Sequence, residues 1–397
     1  MPVPWIRVAF AVFAVSWGAN QFAPLQLVYR EHSGLCSSAF AAMLGTYALG
    51  LIPSLLYFGQ LSDRRGRRFV IRPMIAVAIA SSLILVAGAD LPALLYVGRI
   101  FAGIASGMAF AAGGAWIKEL SEADGPGAGA RRAAVSLSAG FGCGGLFGGL
   151  IAQWLPAPEV VPYLAHIALM IGAGVVVWGA PETRTSRLAG TKLCLTALRS
   201  RYFVGGVAPW APWVFGTAAL AFTTLPPHAA ESTGSLSIAF TGTIAALTLL
   251  TGALVQPWAR KLSTHGDMTA VGTGVLLAAA GFLTAGIALS TDGGLSVSLI
   301  VIASVLLGSA YGVLLVSGLV IVEKNATAED LAGTIALFYC FVYVGFAVPF
   351  VFSLLEPHIG YPLCLTGATV LMSVGFAFAA RSSRQLSAST VTLTPRA

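Results

Sequence analysis

Apolar runs of about twenty residues, parted by short breaks of charged residues, Pro and Gly, follow one another along nearly the whole chain. Runs of that length match the ~20 apolar residues a helix needs to cross ~30 Å of hydrocarbon. They predict twelve spans, at 6–29, 37–58, 70–89, 92–116, 133–155, 161–180, 202–225, 235–258, 268–290, 295–322, 333–355 and 360–380. The narrowest separations are Asp90-Leu91-Pro92 and Pro156-Ala157-Pro158-Glu159. The longest polar stretch, 181–201, divides the chain into near-equal halves: a six-helix bundle over 1–180, a linker, a second bundle over 202–380, and a tail over 381–397.

Charge along the loops tests this count independently. Alternate loops carry Arg64, Arg65, Arg67, Arg68 and Arg72, then Arg131 and Arg132, then Arg184, Arg187, Lys192, Arg199 and Arg201, then Arg260 and Lys261. The intervening loops carry almost no Lys or Arg, Arg30 being the exception. Basic residues collect on the cytoplasmic side, so both termini are expected there, in a cytoplasmic (inner) membrane. Arg7 followed by an apolar run to Val28 resembles a signal peptide, but the run is too long for one and is expected to stay as the first span.

Composition then fixes the solvent. Only 9% of residues are charged and 57% are hydrophobic, against about 25% charged in soluble domains, so the outer surface is expected to face a lipid bilayer. The net charge of +7 reports loop topology and does not point to nucleic acid. Cys36, Cys143, Cys194, Cys340 and Cys364 are scattered, which indicates neither a disulfide framework nor a metal site. No P-loop is present, so ATP is not the direct energy source, and no catalytic constellation such as HExxH suggests an intramembrane enzyme. No cofactor is expected.

Three motifs carry the candidate chemistry. Between the second and third spans stands Gly59-Gln-Leu61-Ser-Asp63-Arg64-Arg65-Gly66-Arg67-Arg68. It is a glycine-flanked loop with one carboxylate among four arginines, able to cap a helix or form ion pairs where water is scarce. In the fourth span, Leu95-Tyr-Val-Gly-Arg99-Ile-Phe-Ala-Gly103 places an arginine about two turns inside the membrane. There a charge costs ~2.5–3.5 kcal/mol on insertion scales. Such a residue either faces a functional cavity or snorkels to the interface. In the fifth span, Gly140-Phe-Gly142-Cys-Gly144-Gly145-Leu-Phe-Gly148-Gly149 removes side chains along a helix and lets a neighbour approach closely.

These motifs resemble those of the major facilitator superfamily, and the resemblance extends over nearly the whole chain. The first matches the signature Gly-x-Leu-x-Asp-Arg-x-Gly-Arg-Arg at every specified position. It implies that Gly59, Asp63, Arg64, Gly66, Arg67 and Arg68 form a charge relay at a cytoplasmic gate, which latches the outward-facing state. The second is similar to the family's buried Arg followed by Gly, with Ala102 where Gln is common. The third is similar to the antiporter motif Gly-x-x-x-Gly-Pro-x-x-Gly-Gly of the twelve-span drug/proton antiporter branch. Gly140, Gly144, Gly148 and Gly149 match, and Gly145 replaces the proline. The implied fold is all-α, with two pseudo-symmetric six-helix bundles working by alternating access.

The expected function is proton-coupled efflux of a small amphipathic or aromatic compound, by a monomer. The rival is import of a small nutrient or organic anion on the same fold; a channel suits a gated two-half architecture less. Arg99 and His166 are the candidates for proton coupling or substrate contact, with His166 open between proton carrier and neutral packing residue. Asn20 and Gln21, near Pro24 in the first span, and Tyr339 and Tyr343, on one stripe of the eleventh, are the expected cavity lining. Asn20 and Gln21 are also the expected polar neighbours of Arg99, and Trp210 and Trp213 are expected to anchor the seventh span at the interface. No Asp or Glu falls mid-span, which disfavours strongly cationic substrates.

Overall fold

The structure, a computed structural model, describes residues 3–125, 127–183, 198, 200–327 and 331–391; most of the linker, with Arg184, Arg187, Lys192 and Arg199, lies outside them. Helix dominates and no strand forms among the described residues. In chain order the helices are α1 (Pro4–Asn20), α2 (Gln26–Ser33), α3 (Ser37–Arg65), α4 (Arg67–Ala87), α5 (Ala93–Met108), α6 (Gly114–Glu119), α7 (Ala128–Trp154) and α8 (Val161–Trp178). After the linker come α9 (Arg201–Gly206), α10 (Trp213–Thr223), α11 (Ala230–Thr233), α12 (Ser237–Thr264), α13 (Asp267–Ala288), α14 (Gly293–Asn325), α15 (Leu331–Val344) and α16 (Val348–Val391).

Among the described residues, ten segments are long and apolar enough to cross a membrane. Two of them, Trp213–Thr264 and Gly333–Gln385, run to 52 and 53 residues, more than twice what one crossing needs. The first is broken between α10 and α12 around Pro226, Pro227 and Gly234. The second is broken at Gly360, whose φ of 75° and ψ of 155° no helix accommodates. Two passes from each would give the expected twelve. The chain is a multi-pass membrane protein.

Several spans depart from straight helices where the sequence predicts continuous ones. The first is interrupted between α1 and α2, because Pro24 has no N–H to continue the ladder and the chain tightens into a 3₁₀ turn at Ala23–Leu25. The fourth carries a π turn at Ala109–Gly113 between α5 and α6. The seventh opens between α9 and α10.

The described helices group into two compact units: one of Met1–Lys192 with Phe222–Ala253, the other of Leu193–Ala221 with Leu254–Ala397. In the first, α1 packs against α7 and α8, while α5 lies between α3 and α4. Its core joins Val12, Val15, Met74, Met108, Trp116 and Met170. A second cluster, of Phe22, Tyr29, Phe40, Leu95 and Tyr163, surrounds the helix break. In the other unit, α13 packs on α14 and α16.

Small residues set the closest approaches. A Cβ at Gly103 would run into the Tyr47 carbonyl, and one at Gly107 would press on Ser54 and Leu55, so α5 touches α3 backbone to backbone. This gives Gly103 of the fourth-span motif a packing reason.

Candidate functional site

The loop between α3 and α4 is built around a tight glycine corner. Gly66 has φ 98°, a conformation L side chains rarely adopt, and a Cβ there would lie 2.8 Å from a Glu182 carboxylate oxygen. Glu182 occupies that space because it caps α4: its oxygens accept the backbone N–H groups of Arg67 (3.0 Å) and Arg68 (2.9 Å). Of the two roles open to Asp63, cap or ion-pair partner, it takes the second: it sits in the last turn of α3 and pairs with Arg67 (2.8 Å).

Arg67 is nearly buried and spends its donors inside this cluster. Nη1 donates to Asp63 Oδ1 and to Ser62 Oγ (2.9 Å), while Nη2 and Nε donate to the two oxygens of Glu119 at 2.6 and 3.2 Å. The Arg67–Glu119 contact is thus the bidentate fork that binds carboxylate most firmly. Thr183 Oγ1 also donates to Glu119. Gly59 leaves room beside Ala111 on the neighbouring π turn. Arg64 is exposed, and no described residue pairs with it.

The end of α8 is held by donors from other helices. The carbonyls of Trp178, Gly179, Ala180 and Pro181 accept from Arg72 (2.9 Å), Arg7 (2.7 Å), Arg68 (2.8 Å) and Trp116 (3.0 Å). Three cations therefore meet the negative end of one helix. Residues 178–183 bind the ends of α1, α4, α6 and α8 into one assembly. The sequence motifs single out neither Glu119 nor Glu182; the signal for Glu182 is an acid directly after Pro181, where the sixth apolar run stops.

Arg99 is 1% exposed, enclosed by protein on all sides. Its guanidinium lies 4.7 Å from the ring centroids of both Phe22 and Tyr47, so two aromatic faces carry the charge. Nη1 donates to the Ala19 carbonyl (3.1 Å), one residue before the carbonyl that Pro24 leaves without its helical partner. The expected contacts with Asn20 and Gln21 side chains do not form. The Asn20 Nδ2 donates to the Phe141 carbonyl of α7 (2.9 Å), and neither amide atom of Gln21 has a partner. The helix break turns Phe22, rather than these amides, towards Arg99. Above this layer the Tyr29 and Tyr163 hydroxyls meet at 2.7 Å.

His166 is buried, with both ring nitrogens engaged. Nε2 lies 3.1 Å from the Ala14 carbonyl and Nδ1 lies 2.7 Å from Ser82 Oγ. A carbonyl can only accept, so Nε2 carries a proton; in the neutral ring Nδ1 then accepts from the serine hydroxyl, and that form leaves neither nitrogen unsatisfied. A Cβ on Gly18 would strike the ring. A crevice with room for about one water, lined by Ala19, Ser81, Ser82, Ala105 and His166, adjoins it.

The glycine-rich α7 has two contact faces. A Cβ at Gly140 or Gly144 would run into the backbone of Phe13 or Trp17, and one at Gly148 would lie 3.0 Å from the Gln21 carbonyl. On the other face, Cβ atoms at Gly145 and Gly149 would lie 3.0 Å from Ala245 and from Ile238 and Gly242. The motif lets α7 touch α1 and the first half of α12 at once.

In the second unit Tyr339 and Tyr343 stack (6.1 Å), and Tyr343 stacks in turn on Phe215 (4.9 Å) and Phe346 (6.0 Å), with Tyr311 beside Phe215 at 5.1 Å. The two tyrosines share one aromatic cluster, packed ring against ring. Trp210 corrects its expectation: it is fully buried, packs on Phe338 and donates to the Gly206 carbonyl (2.7 Å), because the break between α9 and α10 folds it inward. Trp213 is half-buried, edge-on to Phe282.

An all-helical, multi-pass membrane protein with an ionic cluster at its helix ends and a buried arginine is built as a secondary transporter, not an enzyme. The model of the Major Facilitator Superfamily matches residues 8–224, and the chain belongs to that family. Among solved structures, two of the nucleoside transporter NupG are similar in fold. A point mutant gives a TM-score of 0.73 at 12% identity, over 95% of this chain and 99% of that one. A second NupG structure gives 0.71 at 12% identity, over 97% and 99%.

Proposed function

We propose that the protein exports a small amphipathic or aromatic compound in exchange for protons, across a cytoplasmic membrane with both termini inside. The observation that carries this reading is the double glycine face of α7, which places the antiporter-like motif in backbone contact with α1 and with α12. Small-residue faces of this kind let packed helices slide with few side chains to repack. The cluster of Asp63, Arg67 and Glu119 serves as the cytoplasmic gate, with Arg64 and Arg68 at its rim. Arg99 is the fixed intramembrane charge that favours electron-rich or anionic substrate groups, and Asn20, Gln21, Tyr339 and Tyr343 belong to the substrate path.

His166 has the smaller share in coupling. Its two satisfied nitrogens suit a neutral clamp that ties α1 to α4 and α8. Proton binding therefore rests on the gate carboxylates. Import of a nutrient or organic anion is the rival reading, and direction separates the two. Cells producing the protein are loaded with fluorescent amphipathic compounds, with Asp63→Asn as the control of slowed turnover. Export predicts lower steady-state content in cells with the native chain than in control cells. Higher content would establish import instead.

A further inference from the structure

The polar groups around the break of the first span fall into two sets. Ser16 donates to the Val12 carbonyl (2.8 Å), Asn20 to Phe141 and Arg99 to Ala19, so these are satisfied within the protein. Trp17, in the last turn of α1, and Gln21, the residue that follows the helix, are not. Trp17 Nε1, Gln21 Nε2 and Gln21 Oε1 are all shut off from solvent with no hydrogen-bond partner, and the Gln21 side chain is 0% exposed. Native proteins leave few such groups, and each calls for a physical reason.

The surroundings narrow the reason. The Trp17 indole stacks on Phe147 of α7 at 5.3 Å between centroids and 10° between planes, giving a flat aromatic floor. The Gly144 and Gly148 positions press against the Trp17 and Gln21 backbones, so α7 cannot move closer to supply a partner. The three free groups amount to one indole N–H, one amide NH2 with two donors and one carbonyl acceptor, with no net charge. A primary amide offers its donor and acceptor side by side, the complement of a carbonyl adjoining an N–H on a planar ligand.

We propose that Trp17 and Gln21 form a substrate subsite for a neutral, planar compound bearing a lactam, imide or carboxamide edge. The inference rests on the reading of Gln21 as part of the substrate path, and it names the chemistry recognised there. The Gln21 amide takes the paired edge, and the Trp17 N–H serves a second acceptor. A site built to hydrogen-bond a ligand N–H rejects the analogue that lacks it far more strongly than an apolar pocket rejects a change of size.

The test uses the full-length protein in lipid nanodiscs with quinolin-2-one, phthalimide and benzamide, each beside its N-methylated counterpart. The account predicts that at least one parent compound binds and that N-methylation weakens it at least about tenfold. Gln21→Leu should abolish that discrimination, and Trp17→Phe, which keeps the ring and removes the donor, should weaken the parent compound. Both variants should melt at or above the native temperature without ligand, because each removes a buried unpaired group. Equal binding of parent and methylated compounds, or no binding of any parent to the native protein, overturns the proposal. So does a lower melting temperature with unchanged affinity, which would show that these groups hold structural water. None of these outcomes bears on efflux direction, which the cell-loading experiment reads separately.

Discussion

Glu119→Ala is the most informative perturbation of the Arg67 cluster, because Glu119 holds Arg67 through both oxygens while Asp63 holds it through one. Breaking a buried ion pair by removing one partner costs about 3–5 kcal/mol, most of it from the charge left behind. Here the Arg67 side chain is 4% exposed, but those of Glu119 and Asp63 are 23% and 29% exposed, so water screens the acids. Asp63 also remains to hold the guanidinium. These two facts bring the expected loss for Glu119→Ala down to about 2–3 kcal/mol. Arg67→Ala should cost at least as much, since it leaves two carboxylates facing one cavity. The assay is equilibrium unfolding of the purified protein in mixed micelles, run as a double-mutant cycle of Arg67→Ala and Glu119→Ala. A coupling energy of about 2 kcal/mol is expected. Coupling below about 0.5 kcal/mol would show a solvated surface pair and remove the physical basis for a latch.

Three further outcomes follow from the geometry. Arg99→Ala should abolish transport with little loss of membrane expression, and Arg99→Lys should recover less than about a tenth, because an ammonium cannot lie flat between the Phe22 and Tyr47 rings as a guanidinium does; substantial activity in Arg99→Ala would make the residue a packing element. Gly145→Pro should destabilise the protein by about 3 kcal/mol or more, because a Cβ there would lie 2.9 Å from Asn20 Nδ2 and 3.0 Å from Ala245 and the ring would press on the Phe141 carbonyl that Asn20 caps; an unchanged melting temperature would refute this. Cys36 lies exposed between α2 and α3, and its hydrogen bond with the Ser38 hydroxyl (3.1 Å) holds the thiol below its ordinary pKa. Its thiolate therefore persists to lower pH than an ordinary thiol's, and a variant with Cys36 as sole cysteine should react near neutrality with a membrane-impermeant maleimide from outside intact cells, more slowly after Ser38→Ala; reaction only after lysis would reverse the expected topology.

The apolar rhythm made the helical class and most span limits legible, as in α8, predicted at 161–180 and found at Val161–Trp178. Interruptions within spans were harder to see, because Pro24 announces a break but the π turn at Ala109–Gly113 has no residue signature beyond small side chains. The signature loop identified Arg67 and Asp63, yet the other acids on Arg67, Glu119 and Glu182, lie 52 and 115 residues away. Such long-range pairing leaves no local pattern. A second glycine corner stands at Gly266 (φ 148°), where α13 begins with Asp267, which pairs with Lys324 at the end of α14 (2.6 Å). The arrangement is that of Arg67 and Glu119 with the signs exchanged, and identity-based comparison does not detect an exchange of sign.

Proton coupling is the central claim, and a pH gradient across proteoliposomes measures it most directly. One pH unit stores about 1.4 kcal/mol per proton, enough for a tenfold substrate gradient if one proton is exchanged per substrate. With the lumen acidic by one unit, the compound whose cellular content the protein lowers should accumulate inside about tenfold. That gradient should collapse on adding a proton ionophore and be absent from liposomes carrying Arg99→Ala. Equilibration to equal concentrations, at the same rate with and without the pH gradient, would contradict the account and leave a facilitator without proton coupling.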